Sequence, residues 1–265
     1  MASSGLRSAD SDTRADHTAR LRSDSTLVAA AHLSFIGSFA KLVEHSPRGE
    51  IHSTSPVFAF VTGLREPLFN GCVVVEPATS EELAASLEWL SRQGVPYKVS
   101  IVEHLAPELE EIVLAHGLVL DAAPPYPGMV LHPVPAPAAP PPGVTVLPGT
   151  VEGVADYLPA SFAADPDVKV FHARLDGRPV GSSVAIRTGD VSGVYAVGTL
   201  PEARGRGVGT AVTWAAVAAG SAWGCDVIVL QASEMGLSLY ERMGFRTVVR
   251  YITFTGGAGG GADRP

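Results

Sequence analysis

The segment 133–143, PVPAPAAPPPG, constrains the chain more than any other. Proline locks φ and lacks a backbone donor, so neither a helix nor an inner strand can pass through it. The segment is expected to be an extended, semi-rigid connector between two folded halves, 25–132 and 144–255. Residues 1–24 are rich in Ser, Asp, Arg and Thr and form a loose leader, because so few apolar groups cannot offset the entropy of ordering. Residues 256–265, GGAGGGADRP, form a flexible tail. Of the 265 residues, 46% are hydrophobic and 17% charged, which supplies enough apolar material for a core in each half.

Charge and cysteine content remove several function classes. Lys and Arg number 19 against 27 Asp and Glu, a net charge of −8 that repels phosphate backbones and argues against nucleic acid as a partner. The two cysteines, Cys72 and Cys225, are far apart and suit buried apolar positions better than a disulfide scaffold or a zinc site. The longest apolar runs, 27–40 and 210–223, fall short of the roughly 20 residues that cross a bilayer. The expectation is a cytoplasmic protein that does not enter membranes.

In the first half Val28, His32, Phe35, Phe39 and Leu42 recur at helical spacing until Pro47 and Gly49 stop the helix. Next come strands at 57–61 and 71–75, then a helix at 80–92 capped by Thr79 or Ser80 and closed by Gly94. A strand at 98–102, a helix at 107–116 and extended chain over 118–131 complete this half. The second half opens with a strand at 144–147 and one helix from Thr150 to about Phe162. A hairpin at 168–175 and 180–187, turned by Asp176-Gly177, leads to a strand at 191–200. That strand runs through 201–207 into a helix ending at Trp223-Gly224, followed by a strand at 227–231, a helix at 234–243 and a strand at 245–254. Gly94, 100–102 and Gly117-Leu118 correspond in order to Gly224, 227–229 and Gly244-Phe245. The order fits a tandem duplication, with coincidental α/β alternation as the other explanation; only the second copy carries a glycine-rich loop.

That loop, TLPEARGRGVGT at 199–210, is the chemically informative segment. At a strand-to-helix junction, backbone free of Cβ atoms can approach a diphosphate closely, and the unpaired N–H groups of the helix start point at its oxygens. Arg204 and Arg206 add cationic donors. The G-x-G-x-G spacing departs from the dinucleotide fingerprint G-x-G-x-x-G, and no lysine follows as a P-loop requires.

Arg204, Gly207 and Gly209 fill the pattern Q/R-x-x-G-x-G/A, and 239–245, LYERMGF, fills L-Y-x-x-x-G-F. With a strand before the loop and another after its helix, residues of about 165–255 resemble the GNAT superfamily of acyl-CoA-dependent N-acyltransferases. The resemblance implies an α/β (α+β) GNAT fold, a mixed, mostly antiparallel twisted sheet flanked by helices, here in tandem with a degenerate GNAT-like first half. It implies acetyl-CoA as acyl donor and no metal. The strand before the loop would splay from its neighbour and bind the pantetheine amides at Val197 and Thr199. The pyrophosphate would rest on Arg204, Gly205, Arg206, Gly207, Val208, Gly209 and Thr210. Tyr240 matches the family tyrosine that protonates the departing thiolate, which a phenol of pKa about 10 can do without being ionised at neutral pH. Leu237 and Tyr240 lie three apart and could instead both face the core. Ser233 belongs to the cofactor-binding set by position and suits the cap of the last helix better than a nucleophile.

The general base is missing from the pattern. The family's strand carboxylate has no counterpart among Tyr195, Ala196, Val197 and Gly198. A water chain or a residue from the other half must then deprotonate the amine, or the amine arrives neutral; Glu202 and Glu234 are base candidates that suit solvated surface carboxylates better, and His172 is a remote one that suits a packed or surface histidine better. The eight histidines show no paired ligand spacing, which argues against metal chemistry. Residues 144–168 have room for one short helix where the family usually places two, so the acceptor groove must be completed by the first half or by another subunit, and a homodimer is compatible with that. The expected reaction is direct acetyl transfer to a primary amine, a small molecule or a peptide, and net acidity favours a cationic one. A protein that binds acyl-CoA without catalysis is the rival reading, and a structural interaction module without affinity for CoA a third.

Overall fold

The computed structural model describes residues 22–152 and 158–257. The chain begins with α1 (Asp24–His45), whose N-cap Ser23 accepts a hydrogen bond from the Thr26 N–H. Of the helical set read from the sequence, Phe35 and Leu42 are buried and Val28, His32 and Phe39 only partly so; the buried face is centred on Leu27, Ala31, Ser34, Phe35, Ser38 and Leu42. At 22 residues α1 is longer than its apolar run and reaches bilayer-spanning length, contrary to the expectation from sequence. Its hydropathy is accounted for by the face it lays on the sheet. Strands β1 (Glu50–Thr54), β2 (Val57–Val61) and β3 (Asn70–Val74) lead to α2 (Ser80–Ser91), β4 (Tyr97–Val102), α3 (Ala106–Ala115), β5 (Val119–Leu120) and β6 (Tyr126–Leu131). The second half contributes β7 (Val144–Gly149), α4 (Ala160–Ala164), β8 (Val168–Leu175), β9 (Arg178–Thr188) and β10 (Val191–Thr199). It closes with α5 (Val208–Ala222), β11 (Val227–Gln231), α6 (Glu234–Arg242) and β12 (Arg246–Gly256).

Twelve strands form one sheet in the order β1-β2-β3-β4-β12-β6-β11-β10-β9-β8-β7, with β5 beside β12. Among the described residues, β3·β4 and β10·β11 are the parallel pairs. The middle of the order reveals an exchange. β6, which precedes the proline segment, pairs with β11 of the second half, and β12, the last strand of the second half, pairs with β4 of the first. The exchanged strands are themselves antiparallel neighbours. Met129, Val130 and Leu131 are at most 3% exposed, so β6 is buried on both faces and must lie inside a sheet.

Several sequence boundaries shift for identifiable reasons. β1 was not expected: its residues EIHST are almost all exposed and carry no apolar alternation, as an edge strand permits. The leader expected over 1–24 ends earlier, because Arg22 donates to Asp226 and Asp190 at 2.6 and 2.8 Å and Ser23 caps α1. Gly256, assigned to the tail, is the last residue of β12. The helix expected from Thr150 falls partly on 153–157, outside the described residues, and α4 begins only at Ala160.

Packing makes α1 a shared element. Although it belongs to the first half, Arg246 reaches Asp24 at 2.8 Å, and the Tyr195 hydroxyl donates to the Ser34 carbonyl at 2.9 Å. Expressed alone, residues 144–257 would lack β6 and α1 and leave the inner edges of β11 and β12 unpaired. That fragment is expected to aggregate, as measured by sedimentation and far-UV circular dichroism; a soluble monomer that unfolds cooperatively would contradict the exchanged architecture.

Candidate active site

β10 and β11 pair in parallel only where Val191, Ser192 and Gly193 face Val227, Ile228 and Val229. Beyond Gly193 they separate: β10 follows β9 to Thr199, and β11 follows β6 to Gln231. The β10·β9 register shifts between Tyr195 and Gly198, and Ala196 adopts φ +49°, a bulge that turns β10 away. The Tyr195 ring helps to hold this geometry. It lies so close over Gly193 that a Cβ there would come within 2.3 Å of Tyr195 Cε2, and its hydroxyl is tied to Ser34 on α1. The backbone of 196–199 therefore lines an opening in the sheet and does not pair with β11.

α5 starts where this opening ends. Its N-cap is Gly207, at φ +76° and with no side-chain cap. The first helical hydrogen bond runs from the Ala211 N–H to the Gly207 carbonyl, which leaves the N–H groups of Val208, Gly209 and Thr210 without helical acceptors. A left-handed cap favours glycine, and a Cβ at Gly207 would also meet Pro141 of the connector at 2.9 Å. A Cβ on Gly209 would sit 3.3 Å from Leu239 of α6 and 3.4 Å from Thr199 Oγ1, so the ends of β10, α5 and α6 converge here. Arg204, Gly205 and Arg206 are exposed around the cap, and Arg206 lies 3.7 Å from Asp176.

A chamber of ≈ 310 Å³ extends from the opening. Val197, Ser233 and Tyr240 of the sequence-predicted set line it. Tyr240 is 8% exposed and packs edge-on against Phe245 at 5.9 Å. Burial, helped by nearby Tyr126, pushes its phenol up to about 12. Ser233 caps α6 by accepting the Gly236 N–H at 3.3 Å. The remaining predicted residues, Thr199 and Arg204 to Thr210, lie along the opening and the α5 start, outside the chamber lining.

The base candidates lie elsewhere. Glu202 is exposed on the short turn Pro201–Ala203, and Glu234 is exposed at the first position of α6. His172 Nε2 is 2.8 Å from the Thr150 carbonyl, in a second groove with Glu152 and Arg174 that is also lined by Gly198 and Thr199 of β10. Among the described residues, no Asp, Glu, His, Lys or Arg lines the chamber.

Sequence reasoning missed the other walls. Phe35, Ser38, Phe39 and Leu42 of α1 form one side, Phe162 of α4 another, and Tyr126 of the exchanged β6 a third. The helical spacing of Phe35, Phe39 and Leu42 was visible in the sequence, but spacing alone does not say what such a face covers. Gln231, at the end of β11, was also missed; its buried Nε2 has no hydrogen-bond partner. A polar residue closing an otherwise apolar strand was the available signal.

Behind Phe162, a charged cluster ties α1 to the segment after α4. Asp165 lies 2.9 Å from His45 Nε2 and 3.0 Å from Lys41 Nζ, and the His45 ring packs edge-on against Phe162 at 5.7 Å. Burial alone would raise the Asp165 carboxyl, but hydrogen bonds from His45, the Asp167 N–H and Lys41 outweigh it and hold the group at about 2. A carboxyl held below its ordinary value of about 3.9 stabilises the fold fully above that value and loses the contribution as pH falls toward the lowered one. The wild-type protein is therefore expected to melt higher than Asp165→Asn at pH 6 and to lose that advantage between about pH 4 and pH 2. Thermal unfolding at pH 6, 4 and 2.5 checks this, and a pH-independent difference would refute it.

Residues 145–245 match the Acetyltransferase (GNAT) family. No curated protein sequence matches the chain. Among solved structures, the chain is similar to a GCN5-related N-acetyltransferase from Kribbella flavida, 21% identical, with a TM-score of 0.63 over 88% of this chain and 96% of that one. It is similar to a tandem GNAT protein from the clavulanic acid biosynthesis pathway at 14% identity, covering 90% of this chain and 97% of that one, TM-score 0.55. A putative GNAT-family acetyltransferase from Novosphingobium aromaticivorans is 21% identical over 85% of this chain and 95% of that one, TM-score 0.55. At these identities the likeness is one of fold, the GNAT fold with its open twisted sheet flanked by helices.

Proposed function

We propose that the protein, whose residues 145–245 match the Acetyltransferase (GNAT) family, transfers an acetyl group from acetyl-CoA to a primary amine by direct attack. The family supports acyl transfer as the reaction class. One observation supports the finer reading: β10, which parts from β11 beyond Gly193, lines the Tyr240 chamber with Val194 to Val197 and at Thr199 comes beside Gly209 at the uncapped start of α5.

In this reading the pyrophosphate lies against the N–H groups of Val208, Gly209 and Thr210, with Arg204 and Arg206 beside it. The pantetheine runs along the backbone of Val197 and Thr199 as an added strand would. The thioester then lies at the chamber mouth by Val197, Ser233 and Tyr240. The amine nitrogen attacks the carbonyl carbon, an oxyanion forms, and its collapse breaks the C–S bond. Backbone donors at the bulge stabilise the oxyanion. Tyr240, raised to about 12 by burial, is fully protonated at neutral pH and donates its hydrogen bond to the departing thiolate.

Tyr240→Phe is expected to lower kcat by roughly 10²-fold or more while leaving acetyl-CoA affinity within about twofold. Amine-dependent thiol release gives the rate and calorimetry the affinity. An unchanged kcat would remove Tyr240 from the chemistry. Binding of acetyl-CoA by the wild-type protein without turnover of any amine would identify a non-catalytic binder.

A further inference from the structure

We propose that the acceptor is an aromatic primary amine, bound and attacked in its neutral form, whose ring occupies the chamber between α1, α4 and β6. This rests on the acetyl-transfer reading and specifies its substrate class. The chamber has the volume of a small-ligand site, at ≈ 310 Å³, and Phe35, Phe39, Phe162 and Tyr126 supply ring surfaces from three elements. Aromatic rings gain from edge and offset contacts with such surfaces beyond the area they bury.

The second observation is electrostatic. None of the described lining residues is ionisable except tyrosines, and burial raises Tyr126, Tyr195 and Tyr240, so all three are neutral at physiological pH. The cluster of Lys41, His45 and Asp165 behind Phe162 is engaged in its own ion pairs, Lys41 also reaching Glu44 at 3.4 Å and Asp167 at 3.8 Å. A cationic amine entering this chamber would lose its hydration and find no counter-charge among the described lining residues. The net charge of −8 draws cations toward the molecule as a whole but places no carboxylate among those residues.

The third is the missing base. An alkylamine with a pKa near that of lysine, about 10.4, presents its lone pair in only about one molecule per 10³ at neutral pH. In an aromatic amine the lone pair is delocalised into the ring, and the nitrogen is unprotonated without help. The balance then closes inside the site. The nitrogen forms the C–N bond, the C–S bond breaks, the Tyr240 hydroxyl gives its proton to the departing thiolate, and the resulting phenolate takes up the proton the nitrogen sheds, which restores Tyr240. The products are an N-aryl acetamide and free CoA. Gln231, whose buried Nε2 has no hydrogen-bond partner, also lines the chamber.

The test uses the full chain with acetyl-CoA and measures thiol release against anilines with one or two rings, phenethylamine, spermidine and a lysine peptide. The expected result is a kcat/KM at least about 10²-fold higher for the best aniline than for spermidine or the peptide, flat from pH 6 to 9. Phe39→Leu, which keeps an apolar wall and removes a ring, is expected to raise the aniline KM about tenfold with unchanged acetyl-CoA affinity. Turnover favouring phenethylamine, spermidine or the peptide overturns the proposal and leaves acetyl transfer standing. Preference for octanoyl- or benzoyl-CoA over acetyl-CoA without aniline turnover also overturns it, assigning the chamber to the acyl group. If calorimetry finds no acetyl-CoA binding, the acetyl-transfer reading itself fails and this inference with it.

Discussion

The separation of β10 from β11 beyond Gly193 is the constraint on which the rest of the molecule depends. Parallel strands in the middle of a sheet normally stay paired, because unpaired backbone groups buried there cost free energy. Here the bulge at Ala196 turns β10 away, and Tyr195, lying over Gly193 and anchored to Ser34, prevents it from turning back. The backbone groups left facing the opening are stable only if solvent or a ligand satisfies them, which ties the function to a fault deliberately held in the sheet.

Holding the sheet open requires elements from both halves. α1 clamps the splay from one face through Ser34, while β6 fills the place beside β11 that the second half leaves vacant. Exchange of β6 and β12 makes each half finish the other, so the inner edges of the two halves are paired with each other and neither is exposed. The same exchange brings Tyr126 to the chamber beside Tyr240, and α1 brings Phe35 and Phe39. Among the described residues, α1 of the first half and α4 of the second stand on opposite sides of that chamber.

What could be read from the sequence followed from local backbone demands. The loop at 204–210 was legible because a left-handed cap such as Gly207 needs glycine whatever surrounds it. The Thr79 cap of α2 and the Ser233 cap of α6 were legible for a similar local reason. The exchange was not legible. β6 is apolar on both faces, and such a strand reads the same whichever half accepts it. The chamber walls were partly legible: the spacing of Phe35, Phe39 and Leu42 marks a buried face, but its partner is set by a fold that places 35 beside 195. Gln231 and Tyr126 meet only after β11 and β6 pair, and no local pattern records that.

The two halves also explain each other's chemistry by contrast. β3·β4 is the counterpart of β10·β11, both parallel and each linked by a helix, α2 in one case and α5 in the other. In the first half the pair stays together over Gly71 to Val74 against Lys98 to Ile101, nearly the whole of β3, so no opening forms. The start of α2 is closed as well. Thr79 and Glu82 form a reciprocal capping box, the Glu82 carboxylate accepting the Thr79 N–H at 2.8 Å, and Glu81 adds a second negative charge. A helix start that already holds its own carboxylate repels a phosphate and has fewer donors left to offer one. α5 begins with glycine and no side-chain cap, so its donors remain available. The two helix starts thus differ at the residues that precede them: α2 is closed by its own carboxylate, and α5 keeps its N–H groups free of a side-chain cap.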